Sequence, residues 1–323
     1  MKDPFKTARP RSIFMAAGLF LCLAILAPAT FGQDEPIRVA TDLVTIPLSV
    51  IDREGRYVGS LKPKDFRIFE NGEEQEVVHF TAAEEPVTVL ILLDRSGSMG
   101  LYFGQMANAA SVFVKQLRPN DQLLAATFAD DVDELFGITK VSEAPKAVKL
   151  RNRPGDHTTM IYDAVQYALK KVKKIRGRKA VLLFSDGAGD GVFTTAKKNL
   201  REAEESEALI YTVQFDTFPK TVPRYRGSGL SEKVWRESIE EANAYMRDLA
   251  RVTGGRAYKI ENISSLEETF RSVADELNSQ YTLGYYPHKV GNDGERRKIT
   301  VKVNVPNVAV RSRNEVIYKK SKK

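Results

Sequence analysis

Residues Val87 to Gly100 read VTVLILLDRSGSMG. Val87, Val89, Leu90, Ile91, Leu92 and Leu93 make a nearly unbroken apolar run, the pattern of a strand buried on both faces of a parallel sheet. Asp94, Ser96 and Ser98 follow where that strand ends. In open α/β sheets ligands bind beyond the carboxyl ends of the strands. One carboxylate and two hydroxyls there offer hard oxygen ligands, suited to Mg²⁺, Mn²⁺ or Ca²⁺ rather than zinc. Two other readings compete. Asp and Ser also satisfy free N–H groups at helix starts. The run Ser96-Gly97-Ser98-Met99-Gly100 also approaches the Gly-x-Ser-x-Gly nucleophile elbow.

Working outward, strands and helices alternate from Val87 to Leu277. Strands are expected at Val87–Leu93, Gln122–Phe128, Asp131–Phe136, Lys179–Phe184, Ala208–Gln214 and Arg256–Tyr258. Helices are expected at Met106–Gln116, Thr159–Lys174, Thr194–Ser206, Glu237–Arg251 and Ser264–Asn278. Such alternation predicts an α/β fold with a doubly wound, mostly parallel, Rossmann-like sheet covered by helices on both faces. The Asp130-Asp131 pair reads as a tight turn, so the third strand is expected to be antiparallel. Ser264 or Ser265, followed by Glu267 and Glu268, reads as the N-cap and acidic first turn of the last helix.

The flanks have a different character. Val39 to Val50 is strongly β-branched, Tyr57-Val58 and Phe66–Phe69 read as short strands, and Asn71-Gly72 is a two-residue hairpin signal from which Glu76–Phe80 is expected to pair back. That is too little chain for an independent core. At the other end Gln280–Tyr286 is aromatic and alternating, Ile299, Val301, Val303 and Val305 alternate cleanly, and Val308–Arg311 is a short partner. The two flanks are expected to combine into one small β-domain around the α/β domain. The expected organisation is a leader at 1–32, an N-terminal β segment at 33–84, the α/β domain at 85–279, a C-terminal β segment at 280–318, and a basic tail at 319–323.

Lys2, Lys6, Arg9 and Arg11 precede the apolar stretch Ile13–Ala27, and small residues follow to Gly32. This is the layout of a signal peptide with a cut near Ala29 to Gln33, and it places the protein in the periplasm, cell envelope or outside the cell, without membrane insertion after cleavage. Uncleaved, the stretch would serve as an anchor, although it is shorter than the roughly 20 residues of a typical span. The single cysteine, Cys22, lies in that leader, so the mature chain has no disulfide or thiol chemistry. The formal net charge is +7; four basic and one acidic residue up to Gly32 supply +3, and Lys319, Lys320, Lys322 and Lys323 account for the remainder. The body is therefore near neutral, which argues against nucleic acid as a partner.

Two further features settle the competition over the opening stretch. Thr158 and Thr159 lie in a polar loop ahead of a helix, and Asp186 follows the apolar strand Ala180–Phe184 in the sequence Phe-Ser-Asp-Gly. Three strand-end loops thus offer Asp94, Ser96 and Ser98, then a threonine, then an aspartate. With these residues the chain from about Val87 to Asn278 resembles a von Willebrand factor type A domain. That family's metal-ion-dependent adhesion site has the pattern Asp-x-Ser-x-Ser, a distant Thr and a distant Asp. The positions here are Asp94, Ser96, Ser98, Thr159 (with Thr158 as a one-residue alternative) and Asp186. The flanks Leu61–Gly72 and Tyr281–Pro287 also resemble the secreted VWFA-related Acidobacterial family.

The resemblance implies direct coordination by Ser96 and Ser98, and coordination by Thr159 directly or through water. Asp94 and Asp186 would act largely through bridging waters. An ion with few anionic ligands stays electrophilic and takes a carboxylate from a protein partner's Asp or Glu. The implied activity is adhesion or protein binding, with Mg²⁺ as the expected ion and Mn²⁺ or Ca²⁺ as substitutes. The alternative is a metal-independent structural or assembly scaffold of the envelope. Hydrolase chemistry needs a base within reach of the serine, and only His79, His157 and His288 exist. The elbow also lacks its first glycine. His157, beside Thr158, is expected at the ligand surface rather than in a triad. The long polar stretch Asp216–Trp235 is expected to form a rim that shapes partner choice, with Tyr225, Arg226 and Trp235 as contacts.

Overall fold

The computed structural model describes residues 43–145, 147–151, 153, 158–187, 189, 191–215, 217, 232–289 and 291–318. All fall in one compact unit, Ala40–Lys323. The leader and basic tail lie outside them, as do His157, Tyr225 and Arg226. The backbone of Trp235 lies in a helix, but its side chain is also outside the described residues.

The N-terminal strands are β1 (Val44–Asp52), β2 (Phe66–Glu70), β3 (Glu73–Gln75) and β4 (His79–Thr81). The α/β part runs β5 (Val87–Asp94), α1 (Phe103–Gln116), β6 (Gln122–Phe128), β7 (Val132–Lys140), α2 (Ile161–Val172), β8 (Arg178–Ser185), α3 (Ala196–Glu204), β9 (Leu209–Phe215), α4 (Glu232–Thr253), β10 (Ala257–Ile260) and α5 (Leu266–Leu277). The tail adds β11 (Tyr281–Tyr285), β12 (Arg296–Val303), β13 (Val308–Ser312) and β14 (Glu315–Ile317).

The central sheet has the order β10-β9-β8-β5-β6-β7. Its strands are parallel except β7, which pairs antiparallel with β6 across the Asp130-Asp131 turn. The apolar run at β5 is explained by its two neighbours in depth. Val89, Ile91 and Leu93 enter the core that includes residues of α1 and α5, while Leu90 and Leu92 enter the core formed with α2 and α4. Every β5 residue is buried, as a strand covered on both faces requires. The chain moves outward from β5 to β7, then returns to β8 beside β5 and proceeds the other way. The order therefore reverses between β5 and β8, the place where ligands bind in such sheets.

The flanking strands form two four-stranded sheets, β13-β1-β11-β4 and β14-β12-β2-β3. β1 from the N-terminal flank pairs with β11 and β13 from the C-terminal flank, and β2 pairs with β12. Ile46, Leu48, Val50, Ile68, Leu283, Ile299 and Val301 share one core between them. Alternation along β12 puts Ile299 and Val301 inside and Lys298, Thr300 and Lys302 outside, so neither chain end could bury its apolar face without the other.

Three expectations are corrected. The strand returning from the Asn71-Gly72 turn is Glu73–Gln75, not Glu76–Phe80: Glu70 faces Glu73 across a two-residue loop. Asn71 and Gly72 both have positive φ, 49° and 88°, the geometry that two-residue hairpins demand. His79–Thr81 instead joins the other sheet, beside β11. Tyr57 makes only an isolated bridge to Ile51. At α5 only the capping bond differs: Ser265 is the N-cap residue and Glu267 and Glu268 fill the first turn, as expected, but the Ser265 side chain makes no cap hydrogen bond, and Asn262, ahead of the short 3₁₀ turn, accepts from Ser264 N at 3.0 Å.

At the N-terminal edge of the central sheet, buried Arg178 donates to the carbonyls of Ala83 (3.0 Å), Glu85 (2.5 Å) and Leu277. Arg118 Nη1 shares the Ala83 carbonyl at 2.5 Å, so these linker and helix-end carbonyls are satisfied by buried guanidinium groups. Arg178 thus fixes the chain where it enters and leaves the α/β part, on the edge opposite the strand-end loops described next.

Candidate functional site

β5 and β8 are adjacent and in register, with Leu93 opposite Phe184. Asp94 and Ser185 therefore end the two strands at the same level, and Asp186 follows immediately. Ser185 Oγ donates to Asp94 Oδ2 at 2.5 Å, and Ser96 N donates to Asp94 Oδ1 at 2.8 Å. The chain then turns through a 3₁₀ segment, Gly97–Tyr102. Met99 is fully buried beneath it, and Tyr102 packs edge-on against Phe215 with ring centroids 4.7 Å apart. Those anchors hold Ser98 at the surface, where its Oγ donates to Asp186 Oδ2 at 2.7 Å and lies 3.2 Å from Ser96 Oγ. Asp186 is further held by Thr217 Oγ1, 2.8 Å from Oδ2, and by Gln214 Nε2, which donates to its carbonyl at 2.9 Å.

The threonine loop approaches from the α2 side. Met160 N donates to Ala129 O at 2.8 Å, tying the start of α2 to the end of β6. Gly189, in the loop after Asp186, lies so close that a Cβ there would fall 2.2 Å from Thr159 O. The loops carrying Thr159 and Asp186 are therefore in backbone contact. The two threonines differ. Thr158 donates through both its N–H (2.7 Å) and its hydroxyl to Asp130 Oδ1. Thr159 is half-buried, and its hydroxyl makes no hydrogen bond among the described residues. Replacing Gly189 with alanine is expected to push the two loops apart and weaken cation binding about tenfold at unchanged core stability, a change read by calorimetry beside a melting curve.

Asp94 is 0% exposed and Asp186 1%. Burial first, and the Asp186 carboxylate second, push the Asp94 carboxyl up to about 7, while the hydroxyls of Ser185 and Ser96 and the Ser96 amide pull it back. Among the described residues Asp94 has no salt-bridge partner; its carboxylate accepts from Ser185 and Ser96. Arg95, the next residue, turns away and pairs with Asp131 at 2.5 Å and Asp133 at 3.1 Å. Two buried carboxylates at one switch point, surrounded by hydroxyls and with no salt-bridge partner for Asp94 among the described residues, make an environment that a divalent ion would neutralise. The donors are all oxygen, which fits a hard ion. The described residues contain no group of three or more His, Cys, Asp or Glu placed to hold a metal, so neutral oxygens would carry much of the coordination.

Of the sequence-predicted residues, Asp94, Ser96, Ser98 and Asp186 are linked by hydrogen bonds, and Thr159 joins them through the Gly189 contact. Sequence reasoning passed over Ser185 and Thr217, each bonded to one of the two carboxylates. The signal for Ser185 was its place at the last position of β8; Thr217 carried none. His79 bonds Thr81 at 2.9 Å and His288 lies 3.6 Å from Glu73, both in the flanking sheets. Exposed apolar side chains flank the site: Leu101 (87% exposed) beyond Ser98, and Val192 (68%) and Phe193 (82%) beyond Asp186. The Val192 and Phe193 amides donate to the Asp163 carboxylate at 2.8 Å and 3.1 Å, so that loop is pinned to the first turn of α2.

The family model for the von Willebrand factor type A domain matches residues 88–272. The chain belongs to the von Willebrand factor type A domain family. The matched segment contains the whole central sheet after Val87 and all five candidate metal residues. Comparison with curated proteins found no significant match. Among solved structures, the A-domain chain is similar to an aerotolerance-related membrane protein from Bacteroides fragilis NCTC 9343, at 17% identity over 59% of this chain and 98% of that one, with a TM-score of 0.41. It is similar to a von Willebrand factor type A protein from Catenulispora acidiphila at 12% identity, over 87% of this chain and 74% of that one, with a TM-score of 0.43. It is also similar to the pilus adhesin SpaC from Lactobacillus rhamnosus GG at 9% identity, over 78% of this chain and 43% of that one, with a TM-score of 0.47.

Proposed function

We propose that this A-domain protein is an exported, non-enzymatic binding protein that captures a protein ligand through a divalent cation and a partner carboxylate. Asp94, Ser96, Ser98, Thr159 and Asp186 would hold the ion, with Mg²⁺ first and Mn²⁺ or Ca²⁺ as substitutes. The observation that carries the reading is the pair of buried carboxylates at the β5/β8 switch point, bridged by serine hydroxyls, with no salt-bridge partner for Asp94 among the described residues. A bound ion would supply a Lewis-acidic centre open to an external oxygen. The chain's own residues fix its place: Ser185 and Ser96 N–H orient Asp94, and Thr217 and Ser98 orient Asp186.

The non-enzymatic reading is supported by the commitment of the serines. Ser98 Oγ donates to one buried carboxylate rather than to a base. Export rests on the leader pattern at 1–32. Among the described residues no helix is long and apolar enough to cross a membrane.

The test is calorimetry on the full chain, titrating Mg²⁺, Mn²⁺ and Ca²⁺ after chelation. Wild type is expected to bind saturably. Ser98→Ala is expected to lose that binding while the protein stays folded, its stability falling by about 1–3 kcal/mol for the lost hydrogen bond to the buried Asp186 carboxylate. Equal binding by wild type and variant would overturn the site. No binding by wild type would leave the scaffold reading in its place.

A further inference from the structure

Beside the candidate cation site, over the ends of β5 and β6, lies a groove of about 320 Å³ lined by Arg95, Lys149, Arg151, Arg153 and Asp133, with Leu135 as an apolar wall. Its charges divide into two sets. Arg95 and Arg153 each pair with both Asp131 and Asp133, at 2.5 and 3.1 Å from Arg95 and at 3.0 and 2.9 Å from Arg153. That two-by-two cluster is neutral in itself. Lys149 and Arg151 are exposed and have no acidic partner among the described residues. The groove therefore carries an uncompensated charge of two cations on a body whose charge is otherwise close to balanced. A concave wall concentrates that potential.

We propose that this groove binds an acidic run of the protein partner, engaging carboxylates that neighbour the one held at the cation. The proposal rests on the cation-bridged reading for its choice of face and extends it from a single carboxylate to an acidic segment. The two sites share one turn of chain. Arg95 directly follows Asp94, and its N–H donates to Phe128 O at 2.8 Å, so the wall of the groove begins where the cation site ends. Alternate residues of a partner strand are about 7 Å apart, so an acidic run with one Asp or Glu at the ion has further carboxylates to offer the groove whose wall starts at Arg95. The groove also selects against phosphate polymers. Asp131 and Asp133 are half exposed at its rim (53% and 49%). They repel a continuous row of phosphates and tolerate spaced carboxylates, whose methylene stems suit Leu135.

The experiment is fluorescence anisotropy with a labelled hexaglutamate peptide, titrated with the full chain in Mg²⁺ and in EDTA. Hexalysine and a single-stranded DNA hexamer serve as comparison probes. Hexaglutamate is expected to bind in Mg²⁺, more weakly as salt rises, and the other two probes to bind far less. Lys149→Glu/Arg151→Glu is expected to weaken hexaglutamate about tenfold, and Lys149→Ala/Arg151→Ala by an intermediate factor. Both positions are exposed, so folding is preserved, and circular dichroism checks it. Wild-type affinity in the double variants, no binding by wild type, or equal binding of the DNA hexamer would each overturn the proposal. Loss in the double variants with no effect of EDTA or Ser98→Ala would keep the groove and remove the cation reading. Loss with EDTA and Ser98→Ala, at wild-type affinity in the double variants, would do the reverse.

Discussion

Replacing Glu276 with alanine is expected to cost the fold about 3–5 kcal/mol, a large share of the 5–15 kcal/mol that holds a typical domain. Glu276 sits in the last turn of α5 with no exposed surface. Its Oε1 accepts from Ser49 Oγ and Tyr211 OH, each at 3.0 Å, and its Oε2 accepts from Tyr57 OH at 2.9 Å and pairs with Arg311. One carboxylate thus joins β1, the residue bridged to it, β9 and β13. It is one of the points where the flanking β-strands are fastened to the α/β part, beside the donations of Arg313 to Glu204 O and Ser206 O. Burial first, and the Glu276 charge second, hold Tyr211 well above the ordinary tyrosine range, which keeps it a donor. Alanine would leave the Arg311 guanidinium and three hydroxyls without their shared acceptor. Glu276→Gln keeps the shape and one carbonyl oxygen and is expected to lose about half as much. Urea unfolding of the two variants measures the difference. A loss below about 1 kcal/mol in Glu276→Ala would show that the flanks do not depend on this carboxylate.

That hub also marks the limit of what the sequence discloses. The doubly wound sheet was legible because β5, β6, β8 and β9 are each apolar runs bounded by polar loops, a signal contained within seven or eight residues. The candidate metal residues were legible for a related reason: Asp94, Ser96 and Ser98 lie on one short loop, and Asp186 ends a strand that announces itself. Glu276 was not legible, because its partners stand 35 to 227 positions away and a glutamate late in an amphipathic helix reads as a solvated side chain. Thr217 and the basic groove escaped for the same reason, since strand order alone brings them to the site. The misplaced hairpin strand teaches a different lesson. Val77, Val78 and Phe80 have the stronger β propensity, but the two-residue turn fixes Glu73 opposite Glu70 and leaves propensity no choice of register. Ser265 holds the cap position of α5 without a side-chain bond, and the bond is made by Asn262 instead, because the 3₁₀ turn before α5 shifts the first free amides toward the N-terminus.

Asp94→Asn is expected to make the cation-free protein more stable than wild type at pH 8 and to remove most of its stabilisation by Mg²⁺. The sign follows from the direction of the shift. The folded-state carboxyl is raised from 3.8 to about 7, by burial and then by Asp186. Its contribution to stability is therefore fully present below about pH 4 and is lost as the pH rises through about 7. Between those limits the slope approaches 1.4 kcal/mol per pH unit. Asparagine cannot ionise, keeps an oxygen to accept from Ser96 N, and removes the repulsion with Asp186. The gap between variant and wild type should widen from pH 5 to pH 8 in EDTA, as read by thermal melting. Excess Mg²⁺ should close it from the wild-type side, since an ion at about 100 times its dissociation constant adds about 2.7 kcal/mol to the folded state. A gap that stays flat with pH would mean that Asp94 is ionised in the folded protein throughout this range, with its carboxyl not raised by burial and Asp186. Equal stabilisation of both proteins by Mg²⁺ would place the ion elsewhere. If the expected pattern is met, the strain that the apo site carries at neutral pH is the same free energy that draws in the cation. With so few anionic ligands to satisfy it, the ion retains the capacity to take a carboxylate from outside.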